Sequence, residues 1–156
     1  MGVLNAERRI KKPQNAKWHK FPDILLEKGG NNMRLWHQAL ITKLPDHQLL
    51  GQHRECCALR GKAWGKKHAT VDYVFKHPYS SLYLYHTLVM NEMDRRGFHV
   101  DPRWRKPAYR GLQIGYDTTS FTQLRQDLSC TSIYPEHDLN YLLECLKNLR
   151  NKGVHL

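Results

Sequence analysis

The sequence predicts a mainly α fold, one compact domain of three to four helices joined by long irregular connections. Three observations predict it. Apolar residues recur at three- and four-residue spacing in residues 44–60, 82–96 and 139–149. Proline opens and glycine closes each stretch, as Pro45/Gly61, Pro78/Gly97 and Pro135/Gly153, which matches how helices begin and end. Alternating apolar and polar runs, the mark of strands, are few.

A chain of 156 residues has room for one domain with a real core, and 40% hydrophobic with 10% aromatic content is a globular composition. Residues 1–32 read as an N-terminal extension, expected to be disordered or to precede the true start, and residues 33–156 as the helical domain. Lys28-Gly29-Gly30 can be encoded as a purine-rich ribosome-binding site ahead of the Met33 codon, so initiation at Met33 is expected. The net charge is +11, and residues 1–32 hold seven Lys and Arg against three acids, so about +7 belongs to the domain. Such a balance favours a polyanionic partner. No leader pattern occurs and no apolar run approaches the ~20 residues of a membrane span. With four cysteines and no Cys-x-x-Cys pair, free thiols in a reducing cytoplasm are expected.

The first helix, residues 44–60, carries Leu49, Leu50, His53, Cys56 and Cys57 on one side of the wheel, and Gln48, Gly51, Gln52, Glu55 and Ala58 on the other. His53 is expected as a hydrogen-bonded core histidine. Residues 64–76 read as a second helix or a broken helical segment, starting in the basic run Lys66-Lys67-His68. Ser80 or Ser81 caps the next helix, which runs to Gly97 and turns Leu84, Tyr85, Leu88, Val89 and Met93 to the core. Residues 98–134 lose periodicity, with WRKPAYRG at 104–111 their most distinctive part and a short helix expected at 121–128. The last helix, about 135–151, has a stripe of Leu139, Leu142, Leu143, Leu146 and Leu149.

Three chemistries fit these residues. His53 and Cys57 at i, i+4 suggest a metal, but structural zinc draws on paired short spacings and Cys56 and Cys57 diverge by 100°, so no metal and no cofactor are expected. A thiol nucleophile is disfavoured because both cysteines face the core. The third is a lone carboxylate, Glu55, among arginines and an amine; a solvated charged helix face is the plain alternative.

Met33 to Cys56, MRLWHQALITKLPDHQLLGQHREC, and the longer run HRECCALRGKAWGKKHATV resemble the pyrimidine-dimer DNA glycosylase/endonuclease V family, most closely its bacterial branch, over residues 33–111. The resemblance implies an all-α domain that flips a nucleotide from damaged double-stranded DNA, cleaves its N-glycosidic bond through a Schiff base on an N-terminal amine, and breaks the strand by β-elimination. It implies a monomer in a bacterial or phage cytoplasm, associated with the nucleoid and not with membrane. The catalytic group it implies is Met33 as amine, Glu55 as the essential carboxylate and Arg54 as a phosphate clamp. An α-amine has a pKa near ~8 and is far more available near neutrality than a lysine at ~10.4. The DNA-binding residues expected from the resemblance and the basic pattern are Arg34, Gln48, Arg60, Lys66, Lys67, Trp104, Arg105, Tyr109 and Arg110, with Trp104 and Tyr109 able to fill the gap left by a flipped base. Arg34 replaces the small residue that follows the phage enzyme's methionine, Gln48 stands where the phage helix has a histidine, and Ala58 where it has a second arginine. A noncatalytic nucleic-acid-binding module on the same fold is the alternative.

Overall fold

The computed structural model describes residues 33–66, 70–118 and 132–156. Among them lie three α-helices, α1 (Asp46–Arg60), α2 (Tyr79–Arg95) and α3 (Leu139–Asn151), with 3-10 turns at Gln38–Leu40, Asp72–Lys76 and Pro102–Arg105. These residues fall within one compact unit, and the fold is mainly α with no strand among the described residues. The expected helix at 121–128 and the whole of the 1–32 extension lie outside the described residues.

Helix α1 begins after Pro45, whose missing N–H costs nothing at that position. It stops at Gly61, where a Cβ would stand 3.0 Å from the Arg110 carbonyl oxygen and 3.2 Å from that of Cys57. Any larger residue there would force the 110 loop away. The helix packs along α2, burying Leu49, Cys56 and Leu59 in a core shared with Leu82, Tyr85, Val89, Met90 and Met93. Arg96, just past the end of α2, donates to the Leu44 carbonyl at 2.6 Å and to Asp46 at 2.9 Å, and so ties the end of α2 to the start of α1.

Several sequence expectations change. Helix α2 starts at Tyr79, directly after Pro78, so Ser80 and Ser81 lie inside it and are buried instead of capping it. Of the two forms expected for residues 64–76, the described residues show the broken one, with a 3-10 turn at Asp72–Lys76 and Trp64 edge-on to Phe75 and Tyr79. Helix α3 is capped by Asp138, which accepts from the Tyr141 N–H at 2.8 Å. Its leucine stripe is only partly used. Cys145 and Leu149 are buried, while Leu139 and Leu143 stay exposed because α3 meets the core along a narrow line. Leu88 of α2 is likewise exposed.

The segment 33–37 crosses α1 as extended chain, with Leu35 and Trp36 buried. It is pinned from both sides. The Trp36 N–H donates to Gln52 Oε1 at 2.7 Å, and Tyr85 donates its hydroxyl to the Trp36 carbonyl at 2.6 Å. Tyr141 of α3 donates to the Leu35 carbonyl. The segment therefore lies against one flank of α1 while α2 covers the other.

Candidate active site

Where segment 33–37 meets α1, a cavity of about 100 Å³ opens, lined by Arg34, Trp36, Gln48, Gly51, Gln52, Glu55, Asn148 and Lys152. Three parts of the chain build it: the 34–36 backbone, one face of α1, and the C-terminal end of α3. Gly51 contributes by lacking a side chain, and the Arg54 guanidinium lies 3.9 Å from where its Cβ would be. The Trp36 ring forms a wall flanked by two cations, the Arg34 guanidinium 5.9 Å and the Lys152 ammonium 5.8 Å from its centroid.

Glu55 sits at the centre of this arrangement, half-buried. Its carboxylate accepts from Gln52 Nε2 at 2.9 Å. Burial raises its pKa to about 7, and Lys152, the Arg34 N–H, the Gln52 amide and Arg54 oppose that rise. A carboxyl that is half protonated near neutrality can give a proton in one step and take one in the next.

Gln52, placed on the polar face by the helical wheel, is almost wholly buried. Its amide makes four hydrogen bonds. The oxygen accepts from the Trp36 N–H and, at 3.0 Å, from the Tyr85 hydroxyl; the nitrogen donates to Glu55 and, at 3.1 Å, to the Arg34 carbonyl. Sequence reading missed this residue, and the available signal was its i, i+3 spacing from Glu55. Lys152 and Asn148 were also missed, because only tertiary structure brings the end of α3 to the cavity.

The expected site residues separate into two groups. Met33 packs half-buried against the core, Arg34 donates to Glu144 at 3.1 Å, and Gln48 lines the cavity. Arg54 and Lys66 are exposed, and Lys67 lies outside the described residues. Arg60, by contrast, is fully buried and cannot reach DNA. All five of its N–H donors are engaged: Tyr79 Oη at 2.8 Å, His86 Nδ1 at 2.9 Å, and the carbonyls of Trp104, Lys106 and Tyr109 at 2.8, 3.0 and 3.0 Å. The guanidinium also lies 5.0 Å from the Trp104 ring centroid and 5.2 Å from that of Tyr83.

This one side chain folds the 102–110 segment onto α1 and α2, which corrects the expectation of a DNA-inserting loop. Tyr109 and Arg110 are buried, Trp104 is half-buried between His86 and Tyr109, and Arg105 is engaged by Asp94 and Asn91. The exposed apolar side chains of this region belong to the following turn, Leu112 at 81% exposure and Ile114 at 48%.

His53, Cys57 and His86 gather with their ligand atoms within 4.8 Å of one another. The hydrogen bonds between them oppose metal binding. A ligating imidazole normally donates its other N–H outward, yet His86 Nδ1 faces the Arg60 donor and must accept. His86 then donates from Nε2 to His53 Nδ1 at 2.8 Å, leaving the His53 Nε2–H turned to Cys57 Sγ at 3.7 Å. Burial, followed by the Arg60 charge, lowers His53 to about 4. Burial pushes the Cys57 thiol up to about 12 and raises Cys56 well above the ordinary thiol value, so neither supplies a thiolate near neutrality.

Fold and site together describe a small all-α protein with one half-buried, pKa-shifted carboxyl in a cavity that two cations also line. The family model described as pyrimidine dimer DNA glycosylase matches residues 33–106, just under half of the chain, and this segment is similar to that family of DNA repair glycosylases. The matched segment holds Glu55 and five of the other cavity residues, Arg34, Trp36, Gln48, Gly51 and Gln52; Asn148 and Lys152 lie beyond it. No curated protein and no solved structure matches the chain. No described helix is long and apolar enough to cross a membrane.

Proposed function

We propose that the protein is a glycosylase with associated abasic-site lyase activity, of the bacterial branch of its family. It acts as a monomer on pyrimidine dimers or related damage in double-stranded DNA, in the nucleoid-associated cytoplasm of a bacterial or phage system. The observation that carries the reading is the Gln52 amide nitrogen, which donates to both the Glu55 carboxylate and the Arg34 carbonyl and so joins the carboxyl to the backbone beside residue 33. The Met33 nitrogen lies one residue before that bridged carbonyl. In a chain that begins at Met33 this nitrogen is a free α-amine.

The amine adds to the sugar C1′ as the glycosidic C–N bond breaks, and the departing base leaves with that electron pair and takes up a proton. Protonated Glu55 gives its proton to O4′ as the sugar ring opens to an iminium on the Met33 nitrogen. Glu55, now a carboxylate, removes a C2′ proton. The released electrons form the new C=C bond, and the C3′–O bond breaks with the phosphate taking its electron pair. Water hydrolyses the imine. Arg54 and Arg34 flank the reaction as phosphate contacts, with Lys66 further along the exposed basic surface.

Borohydride trapping tests the reading. A protein beginning at Met33 is expected to become covalently fixed to dimer-containing or abasic duplex DNA. Binding without any adduct would favour the noncatalytic module.

A further inference from the structure

The cavity around Glu55 holds one side chain that can form an imine. Of the eight lining residues, Arg34 is protonated at any accessible pH, Gln48, Gln52 and Asn148 are amides, and Trp36, Gly51 and Glu55 carry no amine. Lys152 alone has a primary amine. It is held in place at both ends. Its backbone N–H caps α3 by donating to the Asn148 carbonyl at 3.2 Å and the Leu149 carbonyl at 3.0 Å, and its ammonium lies 5.8 Å from the Trp36 ring centroid. It lines the same cavity as the Glu55 carboxylate, and its charge opposes the rise in that carboxyl's pKa more than any other group. Gly153 follows with φ of +77°, turning the chain away directly after the lysine, which is the C-cap of α3.

We infer that Lys152 is a second catalytic amine of the Glu55 cavity, able to carry out strand cleavage at abasic sites when the Met33 nitrogen is an ordinary peptide nitrogen. The inference rests on the proposed reading of Glu55 as the proton-moving group. The two substrates make different demands. Displacing a base from an intact nucleotide needs a strong neutral nucleophile, whereas an abasic site already presents an aldehyde at C1′ in its open form. The Lys152 Nζ lone pair adds to that aldehyde carbon, the oxygen takes one proton from the nitrogen and one from protonated Glu55, and it departs as water, leaving an iminium. The Glu55 carboxylate takes a C2′ proton, the C3′–O bond breaks with its electrons on the phosphate, and water releases the lysine. No oxidant or reductant is consumed. Lys152 thus separates the lyase step from the glycosylase step within one cavity.

The test uses the full chain and a duplex with a single abasic site, reduced with borohydride, with the adduct located by peptide mass spectrometry. The adduct is expected on Lys152, and Lys152→Arg, which keeps the charge, is expected to lower adduct yield at least ~10-fold. Lys152 is exposed, so folding of the variant is expected to be intact and is checked by its thermal midpoint. An adduct on another amine, or an undiminished yield from Lys152→Arg, overturns the inference. Cleavage of dimer-containing DNA by a protein beginning at Met33, measured in parallel, separates the two proposals. If that protein cleaves while the full chain gives no Lys152 adduct, only the lysine role fails. If neither forms an adduct, both fail.

Discussion

Gln52 donates from a single amide nitrogen to the Glu55 carboxylate at 2.9 Å and to the Arg34 carbonyl at 3.1 Å. One buried side chain thus fixes the distance between the carboxyl and the backbone that carries residue 33. Its oxygen is saturated as well, by the Trp36 N–H and the Tyr85 hydroxyl. Gln52→Leu removes all four bonds while keeping similar bulk, leaving a buried N–H and a buried carbonyl without partners. Urea denaturation is expected to show a loss of about 2–4 kcal/mol. Gln52→Glu keeps a similar shape but sets a second carboxyl against Glu55, which should move the acidic limb of the pH–rate profile upward.

Glu55 makes stability depend on pH with a definite sign. Its pKa in the folded chain is about 7, against 4.5 for the ordinary group, so between those values the folded state binds more protons than the unfolded one. Stability therefore falls as pH rises from about 4.5 to about 7 and levels off above. Glu55→Gln lacks this loss. It is expected to match the wild type near pH 4 and to exceed it by about 2–3 kcal/mol at pH 8. The same substitution should lower strand cleavage about 10²–10⁴-fold while leaving DNA affinity in place.

Arg60 separates a structural arginine from a DNA-binding one. A lysine there keeps the charge but offers fewer, differently directed donors and cannot reproduce the five-bond fork. Arg60→Lys is expected to cost about 3–5 kcal/mol in chemical denaturation. The salt dependence of DNA binding by the folded fraction should not change, because the side chain is fully buried.

Arg54 supplies the opposite case. It is exposed beside Gly51 at the cavity mouth, so Arg54→Ala should leave the unfolding free energy within about 0.5 kcal/mol of wild type. The slope of log affinity against log salt should fall by about one phosphate contact. Fluorescence anisotropy across a salt series reads both the loss and its slope.

The helices, their ends and the polar placement of Glu55 were legible because they depend on local periodicity and on proline and glycine at the boundaries. The α1–α2 pairing follows from the apolar sides of the two helices. What sequence could not reveal is how α1 is enclosed. Gln52 looks solvated on a helical wheel, and only the crossing of segment 33–37 buries it. Arg60 looks like one more basic residue in a basic protein until three carbonyls from the 104–109 segment converge on it. The 104–110 stretch was misread for the same reason: a run rich in Arg, Trp and Tyr resembles a nucleic-acid surface, whereas here its carbonyls and rings face inward around one guanidinium. The leucines of α3 erred in the other direction, because an amphipathic stripe states what a helix can bury, not how much core is offered to it.

The partners of Arg60 and the lining of the Glu55 cavity share one implication for modularity. The family likeness ends at residue 106, but Arg60 spends a donor on the carbonyl of Tyr109, and the cavity is completed by Asn148 and Lys152. The portion of the chain that carries the ancestral signature is therefore not a portion that could be excised and expected to stand alone. Homologous exchange at that boundary would have to bring a compatible C-terminal helix with it, so the two halves are bound to drift together.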